Sequence, residues 1–194
     1  MSEQLALFPL NCLLLPEGKT RLRVFEPRYV RLVKEATAGK RPFAMALLNP
    51  LVSQTHPDRI FPFATRVQVT DFDVLEDGLL GIEVLGLERV HIEKRWQEAD
   101  KLHVADTKVV SFWPPQPLSQ PQQELQQSFR QLLSREPELA NLYPEQRTTD
   151  ASWLAARWLE LLPLPPLLKE HLAEQASPEA CLHYLQRCLK AESI

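Results

Sequence analysis

Leu22-Arg23-Val24-Phe25-Glu26-Pro27-Arg28-Tyr29 joins an apolar, strand-like run directly to the start of a helix. Pro27 suits the first helical position, where its missing N–H forfeits no hydrogen bond, and Glu26 sets negative charge beside the first backbone N–H groups. Beyond it, Tyr29, Leu32, Val33 and Ala36 recur at i, i+3, i+4 and i+7 and share one face, while Arg28, Arg31, Lys34 and Glu35 fall elsewhere and Gly39 offers a stop. The pattern predicts an amphipathic helix lying on a sheet.

The flanks supply that sheet. Leu5 to Leu10 and Cys12 to Leu15 are short apolar runs broken by Pro9, Asn11 and Pro16, which suits edge or bent strands. Lys19 to Phe25 alternates, with Arg21 and Arg23 on one face and Leu22 and Val24 on the other. Phe43 to Leu48 is apolar throughout and reads as a buried central strand, followed by a loop from Asn49 to Ile60 long enough to be functional. Phe63 to Val74, Leu79 to Leu87, Arg89 to Trp96 and Leu102 to Phe112 read as further strands, with Asp77-Gly78 as a type I′ hairpin turn. Six to eight strands within 112 residues favour a closed or nearly closed β-barrel over an open parallel sheet.

Trp113-Pro114-Pro115-Gln116-Pro117-Leu118-Ser119-Gln120-Pro121 marks the clearest boundary, because its prolines favour a stiff, extended connection. Helical periodicity follows. Leu125, Phe129, Leu132 and Leu133 make one stripe, Leu154, Trp158, Leu161 and Leu162 a second, and Leu167, Leu168, His171 and Leu172 a third. Ser177-Pro178 caps a last helix that carries Cys181, Leu182, Leu185, Cys188 and Leu189. The expected fold class is α+β: a β-domain with a packed helix over residues 1–112, a Pro-rich linker over 113–121 and an α-helical bundle over 122–194.

Read together, Leu7-Phe8-Pro9-Leu10, Leu15-Pro16-Glu17-Gly18, Phe25-Glu26-Pro27-Arg28-Tyr29, Asp77-Gly78 and Gly86-Leu87-Glu88-Arg89-Val90 resemble the N-terminal substrate-binding domain of Lon protease. The likeness continues through Leu162-Pro163-Leu164 and Leu182 to Leu189, and so covers nearly the whole chain. It implies a PUA-like β-barrel followed by a helical bundle, and a module that holds polypeptide without chemistry of its own. One departure is Ile60-Phe61-Pro62-Phe63, where such domains usually have a Gly-containing strand entry. Full Lon proteases add an ATPase and a Ser-Lys protease module, for which 194 residues leave no room.

Composition narrows the function classes. With 44% hydrophobic and 24% charged residues the chain is of the water-soluble globular type, and no apolar run approaches the ~20 residues that span a bilayer. Met1-Ser2-Glu3-Gln4 lacks the basic region of a signal peptide, so a cytoplasmic location is expected. Three cysteines, Cys12, Cys181 and Cys188, argue for reduced thiols over a disulfide framework. Residues 1–112 balance 15 Lys+Arg against 15 Asp+Glu and the remainder carries 7 against 10, so bulk charge does not mark a nucleic-acid binder.

Apparent chemical motifs fail on context. Gly18-Lys19-Thr20 ends like a phosphate-binding loop, but the glycine needed five residues earlier is Leu13 and a strand, not a helix, follows. His56-Pro57-Asp58 copies a chaperone J-domain tripeptide without the two helices that flank it there. Cys181 and His183 point about 200° apart on a helix and cannot share an ion. No Gly-x-Ser-x-Gly occurs and no serine stands beside an assigned base. No cofactor, no metal and no catalytic residue is expected.

A binding surface remains. Leu13 and Leu15 read as core and Leu14 as pointing outward, beside the basic approach to Phe25. The expected groove is Leu14, Arg21, Phe25, Arg28 and Tyr29, and the expected partner is an unfolded or extended polypeptide or a specific protein. The alternative from another class is RNA. Eight basic residues against three acidic ones lie between Glu17 and Arg41, with Phe25 and Tyr29 offered for stacking. That run is otherwise the solvated face of a helix and its approach.

Overall fold

The computed structural model describes residues 2–192. The chain divides into two compact units, residues 1–111 and 112–194. The first carries strands β1 (Ser2–Leu10), β2 (Lys19–Val24), β3 (Phe43–Leu48), β4 (Ile60–Val74), β5 (Leu80–Gln97) and β6 (His103–Val109), with helix α1 (Pro27–Thr37) between β2 and β3. Cys12 to Leu15, read above as strand-like, has no strand pairing.

Strand pairing runs from β5 through β4, β3 and β1 to β6, and β6 pairs again with β5. The ladder therefore returns to its starting strand. β5 achieves this by length: Leu80 to Leu85 lies between β2 and β4, while Val90 to Gln97 lies against β6. Leu79 to Leu87 and Arg89 to Trp96, expected as separate strands, are thus one element. The alternation breaks near Leu87-Glu88 because the register with β4 shifts between Arg66 and Val67, and the inward phase slips there. The hairpin before β5 also differs from expectation. Leu75 and Leu79 bond across a three-residue loop in which Gly78 has φ 79°, while Asp77 is not at positive φ. This is a type I turn with a glycine bulge, since a type I′ turn requires both central residues at positive φ.

β3 is apolar throughout because both its faces are covered. Ala44 and Ala46 join Leu5, Leu7, Ala64, Val90 and Ala105 in a cluster to which all five ring strands contribute, and small side chains suit so narrow an interior. Phe43 and Met45 join Phe8, Val24, Ile82, Val84 and the α1 residues Tyr29, Leu32 and Val33 in a second cluster. α1 begins as read, with Glu26 as its N-cap residue and Pro27 in its first turn, and it ends before Gly39 at φ 68°. Arg31 binds Glu35, Glu98 and Asp100, and Arg41 binds Glu98 at 2.9 Å, so ion pairs fasten the helix to the β5–β6 turn.

The second unit carries α2 (Gln123–Arg135), α3 (Pro137–Leu142), α4 (Ala151–Leu161), α5 (Pro166–Ala173) and α6 (Glu179–Glu192). The proline-rich stretch belongs to it: Trp113 is buried with Nε1 donating to Gln175 O, and the Leu118 N–H donates to Thr149 O. Phe129 meets Trp153 and Trp158 edge-on at 5.7 and 5.4 Å, and Asp150 caps α4 through the N–H groups of Ser152 and Trp153. The stripe expected on α5 is displaced, with Leu167 exposed and Lys169 and Glu170 buried instead. Lys169 Nζ donates to the Glu160 carbonyl at 2.8 Å, and Arg157 holds the Glu160 carboxylate at 2.7 and 2.9 Å. The buried polar cluster sets how α5 is turned.

Among the described residues no helix is long and apolar enough to cross a membrane, and no cluster of metal-ligating side chains occurs. Cys181 is buried with Sγ 3.8 Å from the Ala155 carbonyl, and burial pushes its thiol up to about 12. It behaves as a small apolar residue.

Candidate functional site

In the first unit a cleft of about 590 Å³ opens where the β2–α1 junction meets the end of β1, the loop after β3, the end of β5 and the β5–β6 turn. Its floor is apolar: Phe8, Leu10, Val24, Leu48 and Ile60, with Tyr29 stacked on Phe8 at 4.2 Å. Tyr29 is only 8% exposed, and burial raises its phenol above the usual value, so it stays neutral. Phe25 stands on the rim, 67% exposed, because it occupies the residue between the last strand position and the N-cap, where neither element claims its side chain.

Cations dominate the polar lining. Arg23, Arg28, Arg59, Arg95 and Lys101 face Glu26 alone among carboxylates. Arg28 is paired with Glu26 at 2.7 Å, donates to the Lys101 carbonyl at 3.0 Å and lies over the Tyr29 ring at 4.7 Å. Arg23 pairs with Asp77. Arg59 donates to the carbonyls of Asn49 and Val52, and Arg95 to that of Pro57. These bonds hold the loop after β3 in place; burial lowers the pKa of Arg95, the Asp58 charge partly offsets that, and neither guanidinium makes an ion pair within 4 Å among the described residues. Lys101 has none either, and it sits in the left-handed region at φ 67°. Burial, with Arg95 and Arg28 close by, pushes His103 down to about 4, so its ring is neutral at pH 7. His103 Nδ1 and Arg28 Nε are buried without a hydrogen-bond partner among the described residues.

Of the expected groove, Phe25, Arg28 and Tyr29 come together here. Leu14 does not point outward. It is 4% exposed within the cluster beneath α1, and Leu13 and Leu15 are buried too. The cause is that the segment is not a strand, so alternation does not apply. Thr65 Oγ1 donates to the Leu14 carbonyl at 2.5 Å, and Glu17 N–H and Gly18 O bond Gly86, which presses the whole loop inward. Arg21 lies apart, beside Glu83 at 3.6 Å, on a second cleft bordered by Asp71, Asp73, Phe72 and Leu75.

The basic run from Lys19 to Arg41 is largely neutralised by folding. Lys19 and Arg21 meet Glu83, Arg23 meets Asp77, and Arg31 and Arg41 meet Glu35 and Glu98. Tyr29 has one ring face on Phe8 and is buried, so it is not offered for stacking as expected. Arg59, Arg95, Lys101 and His103 were not expected at the site, since they lie 34 to 78 residues beyond Phe25 and share no motif with it; the long loop from Asn49 was the single hint.

A sequence model of the ATP-dependent protease La (LON) substrate-binding domain matches residues 4–191, nearly the whole chain. The chain belongs to that family. Among solved structures, the chain is similar to a Lon N-terminal domain protein from Xanthomonas campestris, with 27% identity, 94% of this chain and 96% of that one covered, and a TM-score of 0.71. The N-terminal domain of the Mycobacterium avium complex Lon protease shares 15% identity over 94% of this chain and 96% of that one, with a TM-score of 0.65, and so shares the fold. No curated protein sequence matches. Two of the stretches that carry the family likeness meet in space, because Leu15 to Gly18 docks on Gly86. A third, Phe25 to Tyr29, walls the cleft.

Proposed function

We propose that this protein is a non-catalytic, ATP-independent module that holds unfolded or extended polypeptide, with the cleft at the β2–α1 junction as the contact surface. In this reading the closed ring of strands is a PUA-like barrel, the helices from α2 onward form a separate bundle, and residues 113–121 link the two. The observation that carries it is the exposed Phe25 above an aromatic and aliphatic floor, an arrangement suited to an apolar side chain arriving from outside. Family membership supports it, since the family is named for substrate binding. The contact residues proposed are Phe25, Arg28 and Tyr29, with Arg21 and Leu14 no longer in the set.

The test is fluorescence anisotropy of the whole protein with a labelled, permanently unfolded polypeptide, comparing the wild type with Phe25→Ala. Phe25 is exposed, so the variant keeps its fold, and affinity should drop about 5- to 30-fold, the effect of removing an aromatic anchor. Equal affinity would remove the cleft as the contact surface. A second reading, RNA binding, is favoured by the cationic lining alone. It requires affinity for a single-stranded oligoribonucleotide that falls steeply with salt, as released counterions dictate.

A further inference from the structure

Charge in this molecule is mostly spent internally, and the cleft is where that fails. Arg59 from the loop after β3, Arg95 from the end of β5 and Lys101 from the β5–β6 turn face one opening whose single lining carboxylate, Glu26, is already paired with Arg28. None of the three makes an ion pair among the described residues, although the Asp58 charge reaches Arg95. Arg28 Nε adds a buried donor with no partner. Natural structures rarely leave such donors unmet, so a donor of this kind beside unpaired cations points to an anionic acceptor brought from outside. The acceptor has to arrive with apolar material, because Phe8, Leu10 and Ile60 form the floor below the cations and Phe25 the rim.

We infer that the cleft selects polypeptide segments in which an acidic side chain lies close to a large apolar one. The apolar side chain fills the floor beside Phe8 and Phe25, and the carboxylate meets Lys101, Arg59 and Arg95 at the wall. This deepens the polypeptide-holding reading and rests on it. A nucleic acid is the poorer fit, since stacking platforms need several open aromatic faces and the cleft leaves one, Phe25, well exposed.

Three labelled twelve-residue peptides with the same Leu and Phe positions, carrying two Glu, two Gln or two Lys beside them, should be titrated against the whole protein by anisotropy. The Glu peptide should bind about 10-fold tighter than the Gln peptide, as expected for two partly exposed ion pairs, and the Lys peptide weakest. Raising salt should narrow that gap. Lys101→Glu should abolish the preference, and Lys101→Gln should halve its logarithm. The Lys101 side chain makes no bond among the described residues, so both variants should fold, which circular dichroism would verify. Equal binding of the three peptides by the wild type would overturn the acidic selection and leave the holding function standing. An unchanged preference in both Lys101 variants would also overturn it. Binding of the oligoribonucleotide with no binding of any peptide would overturn both readings together.

Discussion

Gly86 has no room for a side chain. A Cβ there would stand 2.2 Å from the Leu15 carbonyl oxygen, which is backbone and cannot step aside. Gly86→Ala should therefore lower the unfolding free energy by at least about 3 kcal/mol, measured by urea titration, because the loop from Leu13 to Gly18 would be levered off β5. Leu14→Asp should do comparable harm by placing a carboxylate in the core, and its loss of binding would report unfolding rather than a contact. This residue shows where sequence reading stops. Three consecutive leucines cannot all face inward from a strand, and only the hydrogen bonds from Thr65 and Gly86 reveal that the segment is a pinned loop. Cys12 is exposed and Cys181 is buried, so a thiol reagent at pH 8 should label Cys12 in seconds to minutes and Cys181 only on unfolding.

At the scale of elements, α1 was legible because cap, first-turn proline, apolar face and stop all agree in one stretch of the chain. β3 was legible because a strand covered on both faces needs no alternation. The continuity of β5 was not, since its phase slip depends on a partner strand. The fastening of α1 by Arg31 and Arg41 gives a pH dependence. Hydrogen bonds from Arg41 and Arg31 hold the Glu98 carboxyl below its usual range, and the Leu102 N–H and Arg31 do so for Asp100. Their contribution is therefore present above the unfolded carboxylate range and lost as pH falls through the lower folded values. His103 acts earlier and with the same sign. The unfolded ring takes up a proton near pH 6.5 that the folded ring refuses until about 4, so stability declines across that window. On the order of 1–2 kcal/mol should be lost by pH 4, a figure reduced for a partly exposed ring, and His103→Gln should flatten that portion of a stability-against-pH curve. Glu98→Gln should flatten only the more acidic portion.

Across the whole molecule, the sequence was informative about architecture and misleading about charge. The clustered cations from Lys19 to Arg41 find carboxylates from β5, the hairpin and the β5–β6 turn, whereas the scattered Arg59, Arg95 and Lys101 converge. Linear charge density cannot foresee either outcome, because both follow from which strands become neighbours. The ring has a temporal consequence as well. β1 pairs with β3 about 37 residues later, but its other edge waits for β6, with Glu3 opposite Thr107 across a separation of 104 residues. At roughly 5–20 residues per second, the ribosome leaves that apolar strand with a bare edge for ~5–20 s. Nascent copies crowded along one messenger therefore pass through an interval in which a neighbour's β6 competes with their own, and slower translation between β3 and β6 would lengthen it.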